Sequence, residues 1–256
     1  MEITRWPRRA VKRLFARNHY AYRCARRATA FGRYLYGQPH EPDFAAFRHF
    51  VHRDGLFLDI GANSGESVLS FRLFNRTAPI LSIEPNHYHE PDLRLLKRWI
   101  DNFDYRLCAA GDKTGWATLY VPVYKNLPLT GESSFYREQA IENYWVREQV
   151  GRGGSHAVRL IEVAVEVKAM DELALRPAFI KIDVQGFESN VVAGLRRTIA
   201  KSRPVLMLER SGCTDALCGR FADLDYAACV YLPQNDTFAS YRDQPVQNLF
   251  FLPAGT

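Results

Sequence analysis

The run Phe57-Leu58-Asp59-Ile60-Gly61-Ala62-Asn63-Ser64-Gly65 begins as a short apolar strand and ends in a turn framed by two glycines. Glycine carries no Cβ, so a turn of this kind lets backbone approach a ligand closely. A turn at the carboxyl end of the first strand is also where open α/β sheets bind ligands. The spacing Asp-x-Gly-x-x-x-Gly is more open than the G-x-G-x-x-G of dinucleotide sites, and it suits a ligand without a pyrophosphate, such as S-adenosylmethionine. Glu84 closes the next apolar run, Ser82-Ile83-Glu84-Pro85, 23 residues beyond Gly61. An acid about 20 residues past such glycines accepts hydrogen bonds from ribose hydroxyls.

Outward from this turn, apolar runs alternate with helical patterns, as in a mostly parallel sheet covered on both faces. Strands are predicted at Leu56–Ile60, Ile80–Ile83, Tyr105–Ala109, Phe179–Asp183 and Val205–Leu208. Helices are predicted at Val68–Phe74, Asp92–Ile100 and Glu188–Ala200, with an entering helix over Phe44–Val51. Trp116–Val121 alternates after the turn Gly111-Asp112-Lys113-Thr114-Gly115, which predicts an extra hairpin strand. Ala227–Leu232 and Leu249–Leu252 read as a closing strand pair. The fold class is therefore α/β and Rossmann-like, with an antiparallel closing strand. Residues 125–158 are polar, aromatic and poorly periodic. They read as a lid or acceptor insertion with a helix near Glu138–Val150.

The 256 residues are 47% hydrophobic, enough for one sizeable domain with an appendage. The formal charge of +6 is unevenly placed. Residues 1–37 hold ten Lys and Arg against the single acid Glu2, while the remainder is net acidic. Residues 1–40 thus form a basic arm and 41–256 the main domain, with the boundary near Pro39–Pro42. Val11, Leu14, Phe15 and Tyr22 fall at roughly helical spacing opposite Arg9, Arg13 and Arg17, as in a basic amphipathic helix. Phe31, Tyr34, Leu35 and Tyr36 make a second aromatic patch. Such an arm fits an anionic membrane surface, with Trp6, Phe15, Tyr20 and Tyr22 at the interface, or packing within an oligomer, or nucleic-acid phosphates. Cys24, Cys108, Cys213, Cys218 and Cys229 form no CxxC pair or zinc spacing and fit free thiols in a reducing compartment. No apolar run approaches the ~18 residues of a membrane span. The expected place is the cytoplasm, peripheral to the inner face of a membrane if the arm binds lipid.

Four blocks together resemble the FkbM family of methyltransferases: Asp59–Gly65; Ile83-Glu84-Pro85-Asn86; Ala110-Gly111-Asp112 with Gly115; and Ile180-Lys181-Ile182-Asp183-Val184-Gln185-Gly186-Phe187-Glu188. The ending Arg203–Glu209 fits as well. The resemblance spans about residues 56–210, and Lys181–Glu188 is its most specific part. The family usually has Glu where this chain has Gln185, which removes a negative charge. The resemblance implies a class I methyltransferase fold, S-adenosylmethionine as cofactor, and O-methylation of sugar or polyketide hydroxyls. It carries over Gly61, Gly65 and Glu84 as cofactor contacts, and Asp59, Asn63 and Asp112 from the same blocks join them as candidates. Asp183 and Glu188 fall on the substrate side of the sheet.

Methyl transfer from a sulfonium is an in-line displacement, so alignment of the acceptor is central. An alcohol acceptor also gains from a positioned base. Asp183, at a strand's carboxyl end, is the first candidate and Glu209, at the end of the next strand, the second. Glu188 is either catalytic or a carboxylate complementing a helix N-terminus. Lys181 reads as a structural ion-pair partner, and His87, His89 and His156 as solvated or structural residues. Asp183, Glu188 and Glu209 are oxygen ligands of the kind that suit Mg²⁺, although the sequence assigns no metal site. Ser133, Ser134, Phe135 and Tyr136 suit an acceptor pocket. The leading reading is an O-methyltransferase acting on a glycan or glycolipid. The rivals are an RNA methyltransferase anchored by its arm and a non-catalytic methyltransferase-like protein tethered at a membrane. No NPPY-like or DPPY-like tetrapeptide for base amines is present.

Overall fold

A computed structural model of the protein describes residues 18–124, 127–142 and 158–255. The described chain opens with α1 (His19–Leu35), which Asn18 caps by accepting the Ala21 N–H at 3.0 Å. A 3₁₀ segment, Pro42–Phe50, leads to β1 (Leu56–Ile60), α2 (Glu66–Phe74), β2 (Ile80–Ile83), α3 (Glu90–Trp99) and β3 (Phe103–Arg106). A second group follows: β4 (Ala109–Gly111), β5 (Gly115–Tyr124), β6 (Leu127–Pro128), α4 (Arg137–Glu142) and β7 (Val158–Ala169). The chain then returns through β8 (Pro177–Ile182), α5 (Glu188–Ala193), α6 (Arg196–Ser202), β9 (Val205–Glu209) and α7 (Thr214–Ala222). It closes with β10 (Tyr226–Leu232), β11 (Thr237–Ser240) and β12 (Asn248–Pro253).

The main sheet has the order β11-β10-β12-β9-β8-β1-β2-β3. The strands from β9 to β3 are parallel, and β12 runs against both β9 and β10. Parallel strands are covered on both faces, which is why β1 and β8 read as almost unbroken apolar runs. Side chains alternate between two cores. Phe57, Phe179, Val205 and Met207 join one, while Leu58, Ile60, Ile180, Ile182, Leu206 and Leu208 join the other. In the first core Phe57 stacks on Phe71 at 4.0 Å, and the 3₁₀ segment drives Phe47 edge-on against both Phe71 and Phe179. Burying each ring contributes about 1.5–3 kcal/mol.

The same alternation has a functional consequence. Asp59 and Lys181 are register partners on the Phe57 side, and two residues further along, Asp183 and Glu209 follow on that face. Polar side chains therefore gather on one face toward the carboxyl end of the sheet.

The sequence-based expectations hold for the main parallel strands and the closing pair, in which Ala227 pairs with Leu252. Four differences stand out. The helix expected over Glu188–Ala200 is broken into α5 and α6 at Gly194, which lies so close to β4 that a Cβ there would stand 1.7 Å from the Gly111 carbonyl oxygen. Tyr105–Ala109 divides between β3 in the main sheet and β4 in a second sheet of order β4-β7-β5-β6. The Phe44–Val51 helix is of the 3₁₀ type. The unforeseen β7 pairs antiparallel with β5 from Gly115↔Val167 to Tyr124↔Val158. The arm residues Val11, Leu14 and Phe15, and the part of the Glu138–Val150 helix beyond Glu142, lie outside the described residues.

Candidate functional site

The glycine turn is held from below and from the side. Asp59 is fully buried, and its Oδ2 accepts the hydroxyls of Ser67 at 2.6 Å and Ser82 at 2.9 Å, which ties β1 to α2 and β2. Burial pushes the Asp59 carboxyl up, while Lys181 and the two hydroxyls oppose that. Its other oxygen has no hydrogen-bond partner among the described residues. Asp59 thus supports the turn from within the core. Above it, Gly61 has φ +83° and Gly65 has φ +81°, both in the left-handed region. A Cβ on Gly61 would lie 1.7 Å from the Asp183 carbonyl oxygen, and one on Gly65 would lie 2.1 Å from Leu96. Asn63 also adopts a left-handed φ of 51°, a conformation Asn tolerates better than most residues.

Glu84, just past β2, is buried and faces the turn. Its Oε2 accepts the Asn63 N–H at 2.7 Å and its Oε1 the Asn86 N–H at 2.8 Å. Burial raises the Glu84 pKa to about 7, against the two backbone donors. A carboxylate oxygen has two lone-pair directions, so each keeps one for a further donor such as a ribose hydroxyl. Left-handed glycines beside a buried acceptor-only group fit S-adenosylmethionine. Gly61, Asn63, Gly65 and Glu84 would hold it.

Across Gly61 lies the second half of the site. Lys181 is buried in β8, and its Nζ contacts Asp183 Oδ2 at 2.9 Å, as the ion-pair reading of this residue anticipates. Burial would push Asp183 up, but the Lys181 ammonium and the hydrogen bonds from Glu209, Lys181 and Gln185 together outweigh it and hold the carboxyl well below the usual range. Glu209 is pushed the other way, up to about 9, first by burial and then by the Asp183 charge. Gln185 Nε2 donates to Asp183 Oδ1 at 3.3 Å and to Glu209 Oε2 at 2.9 Å, so one neutral amide bridges both carboxyls. Of the two, Asp183 beside Lys181 is the carboxyl that holds its charge more readily.

Glu188 belongs elsewhere. It is fully buried at the start of α5, where it accepts the Gly186 N–H at 3.0 Å and lies 3.7 Å from Cys213 Sγ. These bonds tie Glu188 to the loop before α5 and to the start of α7, and no side-chain cap bond is made at the head of α5. Among the described residues no group of three or more His, Cys, Asp or Glu is placed to hold a metal ion. Asp112 is exposed at the end of β4, and no described contact joins it to the turn or to the carboxyl pair. His89 is buried, with Nδ1 3.2 Å from Ser64 Oγ, whereas His87 is exposed and stacks on Tyr88; His156 lies outside the described residues.

The segment Thr130–Gln139 spans both halves. Gly131 lies beside Asn63, Ser133 Oγ accepts from Asn86 Nδ2 at 3.1 Å, and Ser134 Oγ approaches the Gln185 carbonyl at 3.5 Å. Phe135 packs on Phe187 at 4.7 Å. The sequence marked Ser133–Tyr136 but not the bridging of Gln185, and it placed Asn86 in the Ile83–Asn86 block without giving it a role. It also left Arg26 unassigned, whose Nη2 reaches Asn63 Oδ1 at 3.3 Å and Glu66 Oε2 at 3.3 Å.

A sheet of this order, with a reversed strand between β9 and β10, a glycine turn after β1 and an acid after β2, defines the class I methyltransferase fold. The Methyltransferase FkbM domain matches residues 59–231, two thirds of the chain. The chain belongs to the FkbM methyltransferase family. Among solved structures it is similar to Methyltransferase FkbM from Methylobacillus flagellatus KT, with 16% identity and a TM-score of 0.48. That alignment covers 93% of this chain and 62% of the other, so the chain spans under two thirds of that protein. A precorrin-6y C5,15-methyltransferase from Geobacter metallireducens GS-15 is 14% identical over 81% of this chain and 83% of its own, with a TM-score of 0.41. A fibrillarin/Nop5p complex gives 10% identity over 78% and 71%, with a TM-score of 0.35. No curated protein matches the chain in sequence.

Proposed function

We propose that this chain is an S-adenosylmethionine-dependent O-methyltransferase whose acceptor is a hydroxyl of a sugar in a glycan or glycolipid. One observation carries the reading: the turn that faces Glu84 touches the backbone of Asp183, whose carboxyl Gln185 bridges to that of Glu209. A nucleoside-binding half and an acid–base half thus share one edge of the sheet.

S-adenosylmethionine supplies an electrophilic methyl group on a sulfonium. The residues of this chain supply the rest. The acceptor oxygen gains a C–O bond as the methyl–sulfur bond breaks, and its proton passes to the Asp183–Glu209 pair. Lys181 keeps Asp183 ionised before the transfer, and Gln185 fixes both carboxyls without adding charge. A hydroxyl loses a proton on methylation, as a thiol or an amine also does, whereas a thioether or a pyridine-type nitrogen has none to lose and would leave the pair idle.

The test is transfer of labelled methyl from S-adenosylmethionine into fractionated cell extract. Alkali-stable label in the glycolipid or polysaccharide fraction supports the reading. Label in RNA or in protein overturns it.

A further inference from the structure

We propose that Glu41, in the linker after α1, is a positioning residue that decides which carboxyl of the Asp183–Glu209 pair carries the charge. This rests on the acid–base reading of the pair above and adds a residue to the same site.

The linker is anchored on both sides of the strands that carry the pair. On one side His40 lies on α2: its N–H donates to Ser70 Oγ at 2.9 Å, and its Nδ1 is 2.8 Å from the same oxygen. Helix α2 covers β1, where Phe71 stacks on Phe57. On the other side Glu41 lies on β12: its Oε1 accepts from Gln247 Nε2 at 2.7 Å and its Oε2 from Asn248 Nδ2 at 3.1 Å. Strands β8 and β9 stand between β1 and β12 in the sheet. The linker therefore passes the strand ends that carry Lys181, Asp183 and Glu209.

Asn248 makes the connection to Glu209. The two are register partners in β12 and β9, so their side chains stand on one face with Cβ atoms about 5 Å apart. Asn248 is buried, and its Nδ2 also donates to Asp43 Oδ2 at 2.9 Å. A row results: Lys181, Asp183, Gln185, Glu209, Asn248, Glu41. A cation stands at the Asp183 end and a further carboxylate at the Glu209 end, with neutral amides between the carboxyls. Such a row is polarised. The cation favours charge on Asp183, and the like charge of Glu41 disfavours charge on Glu209. Burial and then Asp183 push Glu209 up, Lys181 opposes them, and Glu41 adds to the push. Among the described residues, the groups that meet Glu41 leave its charge uncancelled. Gln247 and Asn248 are neutral, and burial pushes His40, whose Nε2 lies 3.6 Å away, toward its neutral form. Burial likewise pushes the neighbouring Asp43 carboxyl up, against the Asn248 amide. Glu41 thus keeps the proton on Glu209 and leaves Asp183 as the base.

The experiment is a carbon-13 NMR titration of the full chain labelled at its glutamate carboxyls, without cofactor or acceptor. Glu209→Gln identifies the Glu209 signal. The expected result is a Glu209 midpoint above the ordinary carboxylate range in the wild type. In Glu41→Gln, which keeps the side chain's shape and an acceptor oxygen, the midpoint is expected at a pH lower by roughly 1, the effect of one nearby charge on a carboxyl. Gln247 is exposed, so Gln247→Lys keeps the fold even where Glu41→Gln does not. Its ammonium beside Glu41 is expected to move the midpoint the same way. Glu41→Asp, which keeps the charge, is expected to stay closer to the wild type. A folded Glu41→Gln with an unmoved midpoint overturns the proposal, and so does an unmoved midpoint in Gln247→Lys. An equal fall in Glu41→Gln and Glu41→Asp overturns it too, by making the linker's packing the cause and not its charge. Because no methyl transfer is measured, this experiment can fail while the proposed activity stands, and the reverse.

Discussion

The Cα of Gly61 and the carbonyl of Asp183 approach so closely that a Cβ on Gly61 would lie 1.7 Å from the carbonyl oxygen. This contact joins the turn after β1 to the end of β8, so the two halves of the site cannot move independently. Gly61→Ala would also place a side chain at φ +83°. A loss of roughly 2–4 kcal/mol in stability is expected, with loss of cofactor binding. Thermal melting and calorimetric titration with S-adenosylhomocysteine check this. A variant with wild-type melting and affinity would show that the contact is not maintained.

Glu84 gives a pH prediction for cofactor binding. Burial raises its pKa to about 7, and a ribose hydroxyl prefers the ionised acceptor. Affinity for S-adenosylhomocysteine is therefore expected to fall as pH drops through about 7, and to be weak and nearly pH-independent in Glu84→Gln. Titrations between pH 5.5 and 8.5 decide the matter, and a flat wild-type profile would argue against this acid as the ribose acceptor.

Glu209 gives one for folding. Its pKa is raised from 4.5 to about 9, so across that window the folded chain keeps a proton that the unfolded chain has released. Stability from this group is therefore lost as pH rises. Denaturant melts at pH 5, 7 and 9 should show a smaller decline for Glu209→Gln than for the wild type. Identical slopes would mean that Glu209 titrates normally.

On the proposed mechanism, Asp183→Asn removes the charge that would take the acceptor's proton while keeping the side chain's shape. Turnover is expected to fall about 10²–10⁴-fold with cofactor affinity nearly unchanged. Asparagine is preferred to alanine because its amide oxygen still accepts from the buried Lys181 ammonium, which alanine would leave without an acceptor there. Undiminished turnover would remove Asp183 from the mechanism.

Gln185→Glu would set a third carboxyl against Asp183 and Glu209. Melting is expected to drop by several degrees at pH 8 and to recover in millimolar Mg²⁺, because three clustered carboxylates suit a hard cation. Melting that is insensitive to Mg²⁺ in this variant would show that the third oxygen ligand does not converge on the other two.

The parts of this site that were legible in the sequence are those whose role is local. Glycines 61 and 65 after an apolar run, and an acid at the next strand end, announce themselves by spacing. The pairing of Asp183 with Glu209 was only half legible, because it depends on the register of β8 against β9. Gln185 was visible as a departure from the family pattern, yet its bridging of two carboxyls is a tertiary fact. Strand β7 escaped notice because Val158–Ala169 has one half-solvated face, and it abuts an irregular segment that drew the lid boundary to 158. The break in the helix after Glu188 follows from the crossing of Gly194 with Gly111, residues 83 apart in sequence, and no local propensity encodes it. The inward turn of the α1 arginines was likewise hidden, since helical spacing alone does not say which face meets the domain.

The most direct test of the central claim measures labelled methyl transfer to a purified glycolipid fraction in three parallel samples: wild type, Glu84→Ala and Asp183→Asn. The expected result is an alkali-stable methyl ether in the wild type, none in either variant, and S-adenosylhomocysteine binding retained in Asp183→Asn alone. Transfer that survives Glu84→Ala, or label found on RNA, would contradict the account.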